Sequence, residues 1–181
     1  MSRAPWVVVR RAIARNGLIP VGIRGATRAQ RHAAWLRSEH INEMRTPEQL
    51  ASEKAWPSLD CDRCGDLRNA LVAMGRVLMQ LGLHRWGPTG SAGFELGSGV
   101  PTLTATSDLD VILRLERLPS VDVARGWLAS LDACGGRIDC LIELPHGAVA
   151  LSEFAQSPER AILRTVAGPQ RLFPTAPDGS A

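Results

Sequence analysis

The sequence predicts a mixed α/β (α+β) protein in which a small basic α+β domain, residues 1–60, precedes a larger domain, residues 61–181. Short β-branched runs alternate with amphipathic helical patterns through the second part. The first 50 residues carry nine Arg against three Glu, whereas the remaining residues have a net charge of −3. A basic first part beside a weakly acidic second part indicates that the first part faces an anion, such as phosphate, nucleic acid or an acidic protein.

The composition is that of a globular protein, with 45% hydrophobic and 22% charged residues. A chain of 181 residues is long enough to bury a substantial core. No apolar run approaches the roughly 18 residues that span a bilayer. The short apolar run at residues 6–9 is followed by two Arg, which is not typical of a signal peptide. We therefore expect a cytoplasmic protein with no membrane partner.

The N-terminal domain is predicted to begin with a β-hairpin. Residues 6–11 and 18–23 have the β-branched composition of strands, and Asn16-Gly17 marks a turn between them. Thr27 predicts the N-cap of a following helix that extends to about Arg37.

Three arginines accompany this predicted helix. Arg24, Arg28 and Arg31 have the spacing of one helical face or its lead-in. Such a face is commonly only solvated, but it follows a Gly-Ile-Arg-Gly turn. We therefore hypothesise that Arg24 and Arg28 contact substrate phosphate.

Two further helices are predicted in the middle of the chain. Thr46-Pro47 has the cap and first-turn proline of a short helix. A loop at residues 55–65 forms the domain junction. Asp66 then begins a long helix that ends at Gly82. Its apolar residues recur at spacings of three and four and predict core packing: Leu67, Leu71, Met74, Leu78 and Leu81.

The C-terminal part is predicted to alternate helices and strands. Ser120 caps a helix at residues 121–134, and residues 137–143 form a strand. A short helix at 148–155, a strand at 162–166 and a frayed tail at 175–181 complete the prediction.

The four cysteines do not form a recognisable metal or redox motif. Cys61 and Cys64 make one CxxC, while Cys134 and Cys140 have a spacing that is poor for zinc. The segment before Cys61 does not predict the strand of a thioredoxin-like unit. We favour structural or incidental cysteines, with a zinc site as the open alternative.

The candidate site consists of a glycine-rich turn and two nearby carboxylates. The stretch GPTGSAGFE at residues 87–95 contains Gly90 and Ser91, and Asp108 and Asp110 follow in an apolar run. Residues i and i+2 of a strand point to the same face, with Cα atoms about 7 Å apart. Such a pair can share a divalent metal ion, and a glycine-rich turn can offer backbone N–H groups to phosphate.

A third acid on a following strand would complete a two-metal site for phosphoryl transfer. Asp139 is the natural third acid, as base or metal ligand, and Glu143 is the alternative on the same strand face. Together with Asp108 and Asp110 it would bind two Mg²⁺ (or Mn²⁺) ions roughly 3.5–4 Å apart. Gly90 and Ser91 would hold the substrate phosphates.

These residues resemble the nucleotidyltransferase superfamily, whose pattern is Gly-Ser, Asp-x-Asp and a third Asp. Within it, the chain is similar to the phosphoribosyl-dephospho-CoA transferase family, the malonate decarboxylase holo-[acyl-carrier-protein] synthases. The similar stretches are WVVVRR at 6–11, PVGIRG at 20–25, WGPTGSAGFEL at 86–96 and TSDLD at 106–110.

The resemblance implies a nucleotidyltransferase-type mixed sheet with flanking helices. It implies an enzyme that transfers phosphoribosyl-dephospho-CoA from its triphosphate precursor to a serine of the apo acyl-carrier subunit of malonate decarboxylase, with release of pyrophosphate. Asp108 and Asp110 would be its catalytic, Mg²⁺-binding residues. The basic N-terminal region would bind the triphosphate or an acidic carrier.

Two other functions stay open on the sequence. A nucleotidyltransferase could use ATP or CTP to modify another protein or a small molecule. A nucleic-acid-binding module could use the basic N-terminal third, but the chain has no Tyr and only three Phe to interleave with its arginines. We therefore expect no nucleic-acid partner.

Overall fold

The computed structural model describes residues 6–25 and 30–173. Within these residues the N-terminal part forms a three-stranded antiparallel sheet in the order β1-β2-β3. Its strands are β1 (Val8–Val9), β2 (Leu18–Arg24) and β3 (Arg31–Arg37). The turn at Asn16 and Gly17 has positive φ at both residues, as a tight hairpin turn requires. The predicted hairpin is confirmed.

The predicted helix from Thr27 to Arg37 is wrong. Arg31–Arg37 is strand β3, paired residue by residue with β2 from Arg24↔Arg31 to Leu18↔Arg37. Alanine and arginine favour helix in isolation, but the ladder offered by β2 overrides this weak local preference. Thr27 and Arg28 lie outside the described residues.

The segment between β3 and the first strand of the larger sheet is helical over most of its length. Helix α1 (Pro47–Ser52) begins at Thr46, which forms a capping box with Gln49. Helix α2 (Cys61–Gln80) begins five residues earlier than predicted, because Asp60 accepts hydrogen bonds from the N–H groups of Asp62 and Arg63. The predicted loop at residues 61–65 is therefore wrong. Helix α2 ends before Gly82, which has a φ of +72°.

The larger sheet has six strands within residues 30–173, in the order β4-β5-β6-β7-β8-β9. Strands β5 and β6 run parallel, and the other neighbouring pairs run antiparallel. The sheet is therefore mixed, as predicted. Its strands are β4 (Trp86–Pro88), β5 (Leu109–Arg114), β6 (Ile138–Leu144), β7 (Gly147–Ala150), β8 (Ile162–Thr165) and β9 (Gly168–Arg171).

Three more α-helices lie within the same residues: α3 (Gly90–Ser98), α4 (Val121–Asp132) and α5 (Leu151–Gln156). Ser120 caps α4 as predicted, accepting a hydrogen bond from the N–H of Val123. The helix predicted at 148–155 is partly wrong, because its first residues belong to β7, which pairs with β6. Short 3₁₀ turns occur at Ser38–His40, Trp56–Ser58 and Pro158–Arg160.

The two faces of the larger sheet differ in chemistry. Leu109, Val111 and Leu113 of β5 are buried in the core with the apolar stripe of α2. Alternate residues point to the opposite face, where β5 and β6 carry Asp110 and Asp139. The acidic residues therefore lie on the face turned away from the core.

No helix in the described ranges is long and apolar enough to cross a bilayer. The proposed domain division at residue 60 stays a prediction.

Candidate functional site

The parallel pairing of β5 and β6 places two of the predicted acids side by side. Asp110 is the register partner of Asp139. Neighbouring strands lie about 4.8 Å apart and partner residues share a face. Asp108 precedes Asp110 by two residues and is half-buried just before the strand. All three predicted carboxylates therefore lie at the amino-terminal end of β5 and β6.

The glycine-rich turn packs directly against Asp110. The N–H of Thr89 donates a hydrogen bond of 2.8 Å to the carbonyl of Asp110. Gly90, the first residue of α3, has a φ of +56°, and a Cβ there would lie 1.8 Å from Asp110 Oδ2. Glycine is therefore required for the carboxylate to approach the start of α3, where the helix dipole is positive.

The N-terminal sheet reaches the same turn through Arg24. Its Nη2 donates to Ser91 Oγ at 3.2 Å and its Nη1 to the Gly90 carbonyl at 3.4 Å. The guanidinium also lies over the Phe94 ring, 5.0 Å from its centroid. Arg31 is the register partner of Arg24 on the same face of the hairpin. The structure therefore brings Arg24, Gly90 and Ser91 together through a hairpin rather than through the predicted helix.

Asp108 has a counter-charge in the loop before β6. Arg137 Nε lies 2.6 Å from Asp108 Oδ1, and Arg137 Nη2 donates to the Thr106 carbonyl at 3.1 Å. Asp108 Oδ1 is buried, yet it accepts no hydrogen bond from any described residue, so the Arg137 contact is an ion pair without donor alignment.

The residues present fit a divalent cation held by two carboxylates. Carboxylate oxygens are the ligands that Mg²⁺ prefers, and it commonly binds one or two of them together with water and substrate phosphates. Asp108 offers a buried oxygen that accepts no hydrogen bond from the described residues, and Asp110 follows two residues later in β5. In the described part of the chain no three His, Cys, Asp or Glu side chains are arranged to hold a metal ion. A ligand role for Asp139 stays a prediction.

Glu143, the alternative third acid, is engaged elsewhere. Its Oε1 accepts from Arg11 Nη2 at 2.7 Å, and its Oε2 lies 2.6 Å from Arg114 Nη1. Arg114 also pairs with Glu48 of α1. Glu143 therefore links the N-terminal hairpin to the larger sheet through ion pairs. The geometry favours Asp139 as the acid beside Asp110.

Comparison with known proteins identifies the family of the chain. Residues 58–174 match the family described as phosphoribosyl-dephospho-CoA transferase MdcG, C-terminal domain, and residues 1–47 match the N-terminal domain of the same family. The chain belongs to this family. It is a transferase enzyme.

Relatives of that name cover most of the chain. The phosphoribosyl-dephospho-CoA transferase of Pseudomonas putida strain GB-1 is 40% identical over 172 residues, which are 94% of this chain and 79% of the relative. That of Azotobacter vinelandii is 41% identical, over 90% of this chain and 76% of the relative. That of Klebsiella pneumoniae strain 342 is 36% identical, over 90% and 77%. No solved structure matches the chain.

The transferase also contains an ion pair with a buried carboxylate and a half-buried guanidinium, which sequence reasoning missed. Glu95 of α3 is 7% exposed and pairs with Arg63 of α2, and it accepts hydrogen bonds from the N–H groups of Thr102 and Leu103 at 2.7 and 2.8 Å. Burial alone would raise the pKa of Glu95, but the Arg63 and backbone hydrogen bonds outweigh it and lower the pKa. This pair fixes the segment that leads from α3 to Asp108. The two residues are 32 positions apart, and no local pattern links them.

The cysteines of the transferase are free thiols. Cys61 is exposed at the start of α2, whereas Cys64 and Cys140 are buried. Burial raises the pKa of Cys140 to about 12. Within the described ranges none of them belongs to a group of three or more possible metal ligands.

Proposed function

We propose that the enzyme transfers phosphoribosyl-dephospho-CoA from its triphosphate precursor to a serine of the apo acyl-carrier subunit of malonate decarboxylase, releasing pyrophosphate. Family membership supports the donor. The observation that supports nucleotidyltransferase-type chemistry is the position of Asp110, which lies between the Gly90 turn and Asp139.

Asp108 and Asp110 would hold Mg²⁺ or Mn²⁺. When bound, that ion would neutralise charge on the triphosphate and favour ionisation of the attacking hydroxyl. Because Mg²⁺ commonly completes its coordination with water and substrate phosphates, two protein carboxylates would leave ligand positions for the triphosphate.

The transfer is a substitution at the phosphorus nearest the ribose. The serine oxygen forms a bond to that phosphorus, its proton passes to the Asp139 carboxylate, and the bond to the bridging oxygen breaks to release pyrophosphate. Asp139 suits this role because it lies beside Asp110 in the register and its side chain is exposed at the surface.

The leaving phosphates would lie against the start of α3. Gly90 and Ser91 offer backbone N–H groups and a hydroxyl, and Arg24 supplies a positive charge next to Ser91. Arg28 belongs to this proposal by its sequence position, since it lies outside the described residues.

The direct test combines the purified enzyme, Mg²⁺, the triphosphoribosyl-dephospho-CoA precursor and the apo-carrier. We expect the mass of the carrier to rise by one prosthetic group and pyrophosphate to appear in equal amount. A carrier whose acceptor serine is replaced by Ala should gain no mass. Absence of any mass change on the unaltered carrier would overturn the proposal. Transfer of AMP or CMP from ATP or CTP in the same assay would replace it with a different nucleotidyltransferase activity.

The metal assignment has its own test. Asp108→Asn should lower the transfer rate by about 100-fold or more, because one ligand charge is lost where negative charge develops. Asp132→Asn at the exposed end of α4 is the matched control and should keep the wild-type rate. Circular dichroism should show the same fold for both variants. A fully active Asp108→Asn enzyme would exclude the assignment.

A further inference from the structure

Arg137 immediately precedes β6 and contacts Asp108, the first of the predicted metal ligands. It follows Gly135 and Gly136, which have φ values of +82° and +75° and end the connection from α4. Its side chain is 75% exposed, and its Nε lies 2.6 Å from Asp108 Oδ1. A long side chain with this exposure can rotate away without disturbing the core.

The contact with Asp108 is of a kind that exchanges easily. The guanidinium supplies charge to Oδ1 without an aligned hydrogen bond, because Oδ1 accepts none from the described residues. Exposed ion pairs contribute little to stability. A divalent cation at Oδ1 would also repel a guanidinium 2.6 Å from the same oxygen. Arg137 and the cation therefore compete for one position.

A displaced Arg137 has another partner within the same site. The planar fork of a guanidinium matches phosphate oxygens in two parallel hydrogen bonds. Any phosphate that shares the cation with Asp108 must lie within a few ångströms of the Asp108 carboxylate. The Arg137 side chain, which contacts that carboxylate, is therefore within reach of the phosphate.

We propose that Arg137 exchanges partners during the catalytic cycle: it neutralises Asp108 before the cation binds, and it binds a phosphate of the substrate once the cation has taken its place. This inference rests on the proposed function, because it assumes that Asp108 is a cation ligand. It adds a residue that controls when Asp108 becomes available and that then contacts the triphosphate.

The first measurement is Mn²⁺ binding to the full-length enzyme without substrate, by electron paramagnetic resonance or calorimetry. Arg137→Gln should bind Mn²⁺ about two- to fivefold more tightly than wild type, the effect of removing one exposed competing charge. The difference should shrink in about 0.5 M NaCl, because salt screens exposed charges. Arg117→Gln is the matched control: Arg117 is exposed, lies beyond the opposite end of β5, and should not change Mn²⁺ affinity.

The second measurement is binding of inorganic tripolyphosphate in the presence of saturating Mn²⁺. Here Arg137→Gln should bind about two- to fivefold more weakly, because the phosphate loses a guanidinium. Arg137→Lys should fall between wild type and Arg137→Gln, since a lysine keeps the charge but not the planar fork. Opposite signs for the ion and the polyphosphate distinguish partner exchange from a structural defect, which would weaken both.

Unchanged or weaker Mn²⁺ binding by Arg137→Gln would overturn the inference, as would unchanged tripolyphosphate binding. Asp108→Asn separates this failure from failure of the metal assignment. If Asp108→Asn weakens Mn²⁺ binding and Arg137→Gln does not strengthen it, only the role of Arg137 is wrong. If Asp108→Asn leaves Mn²⁺ binding unchanged, the metal assignment and the role of Arg137 are both wrong.

Discussion

Gly90→Ala is the perturbation that tests the close approach of the glycine-rich turn to Asp110. A Cβ at this position would lie 1.8 Å from Asp110 Oδ2, and Gly90 has a φ of +56°. The carboxylate must therefore withdraw by more than about 1 Å, and a displacement of that size at a reacting centre can cost about 100-fold in rate. We expect the transfer rate to fall by about that factor.

The same substitution also strains the backbone, and its cost can be measured separately. An alanine at positive φ costs about 1–2 kcal/mol. Gly99→Ala is the matched control: Gly99 ends the same helix with a φ of +70°, and a Cβ there would meet nothing within 4 Å. Both variants should therefore lose about 1–2 kcal/mol of unfolding free energy, and only Gly90→Ala should lose activity.

Urea unfolding measures the free energy of both variants, and the carrier mass assay measures their activity. A Gly90→Ala enzyme that keeps its rate within about threefold of wild type would refute the role of this contact. An equal loss of rate in Gly99→Ala would also refute it, because backbone strain alone would then explain the effect.

Other predictions concern the Arg63–Glu95 ion pair, the Arg11–Glu143 ion pair and the cysteines. Glu95→Gln should lower the unfolding free energy by about 1–3 kcal/mol at neutral pH, because it leaves the half-buried guanidinium of Arg63 without its counter-charge. Glu116→Gln at an exposed pair should change it little. Since the pKa of Glu95 is lowered in the folded state, its stabilisation is present above the unfolded-state pKa and is lost as the pH falls through the folded-state pKa. The unfolding free energies of wild type and Glu95→Gln, measured in urea, should therefore converge in acid. A difference that stays constant with pH would contradict this. Arg11→Ala should accelerate hydrogen exchange in β1 and β2 but not in the core of β6, as followed by mass spectrometry; unchanged exchange in both would show that the tie to Glu143 is dispensable. Iodoacetamide should label Cys61 in the native enzyme and Cys140 only after unfolding, because burial raises the pKa of Cys140 to about 12; native labelling of Cys140 would contradict its burial.

The local patterns of the sequence predicted the elements that carry the site. Alternation of apolar and acidic residues predicted Asp110 on the face opposite Leu109 and Val111, and β5 has that alternation from Leu109 to Val111. Asp108 lies just before β5, so its place on the same face as Asp110 stays a prediction. Four residues of the predicted α2 stripe are buried and Ser120 caps α4, because helical periodicity and capping depend on residues within one or two turns. Leu81 was wrong as a core residue: it follows the last residue of α2 and is 39% exposed.

Predictions failed where distant pairing decides the conformation. Residues 31–37 have a helical composition, yet they form β3 because β2 offers them a complete ladder. The start of β7 was assigned to a helix for a similar reason, since its pairing with β6 is not visible in its own four residues. Arg63 and Glu95 were missed as a pair because their contact depends on how α2 packs near α3.

The sequence by itself determined which residue types are available to the site, and the order and spacing of Asp108 and Asp110. Only the tertiary structure decided that Asp110 lies opposite Asp139, that Arg24 reaches Ser91 across 67 positions, and that Arg137 faces Asp108. The physical reason is the sequence separation of the residues that decide each feature. Alternation along a strand follows from the geometry of two successive peptide units, whereas register and side-chain pairing across strands depend on the packing of the whole chain.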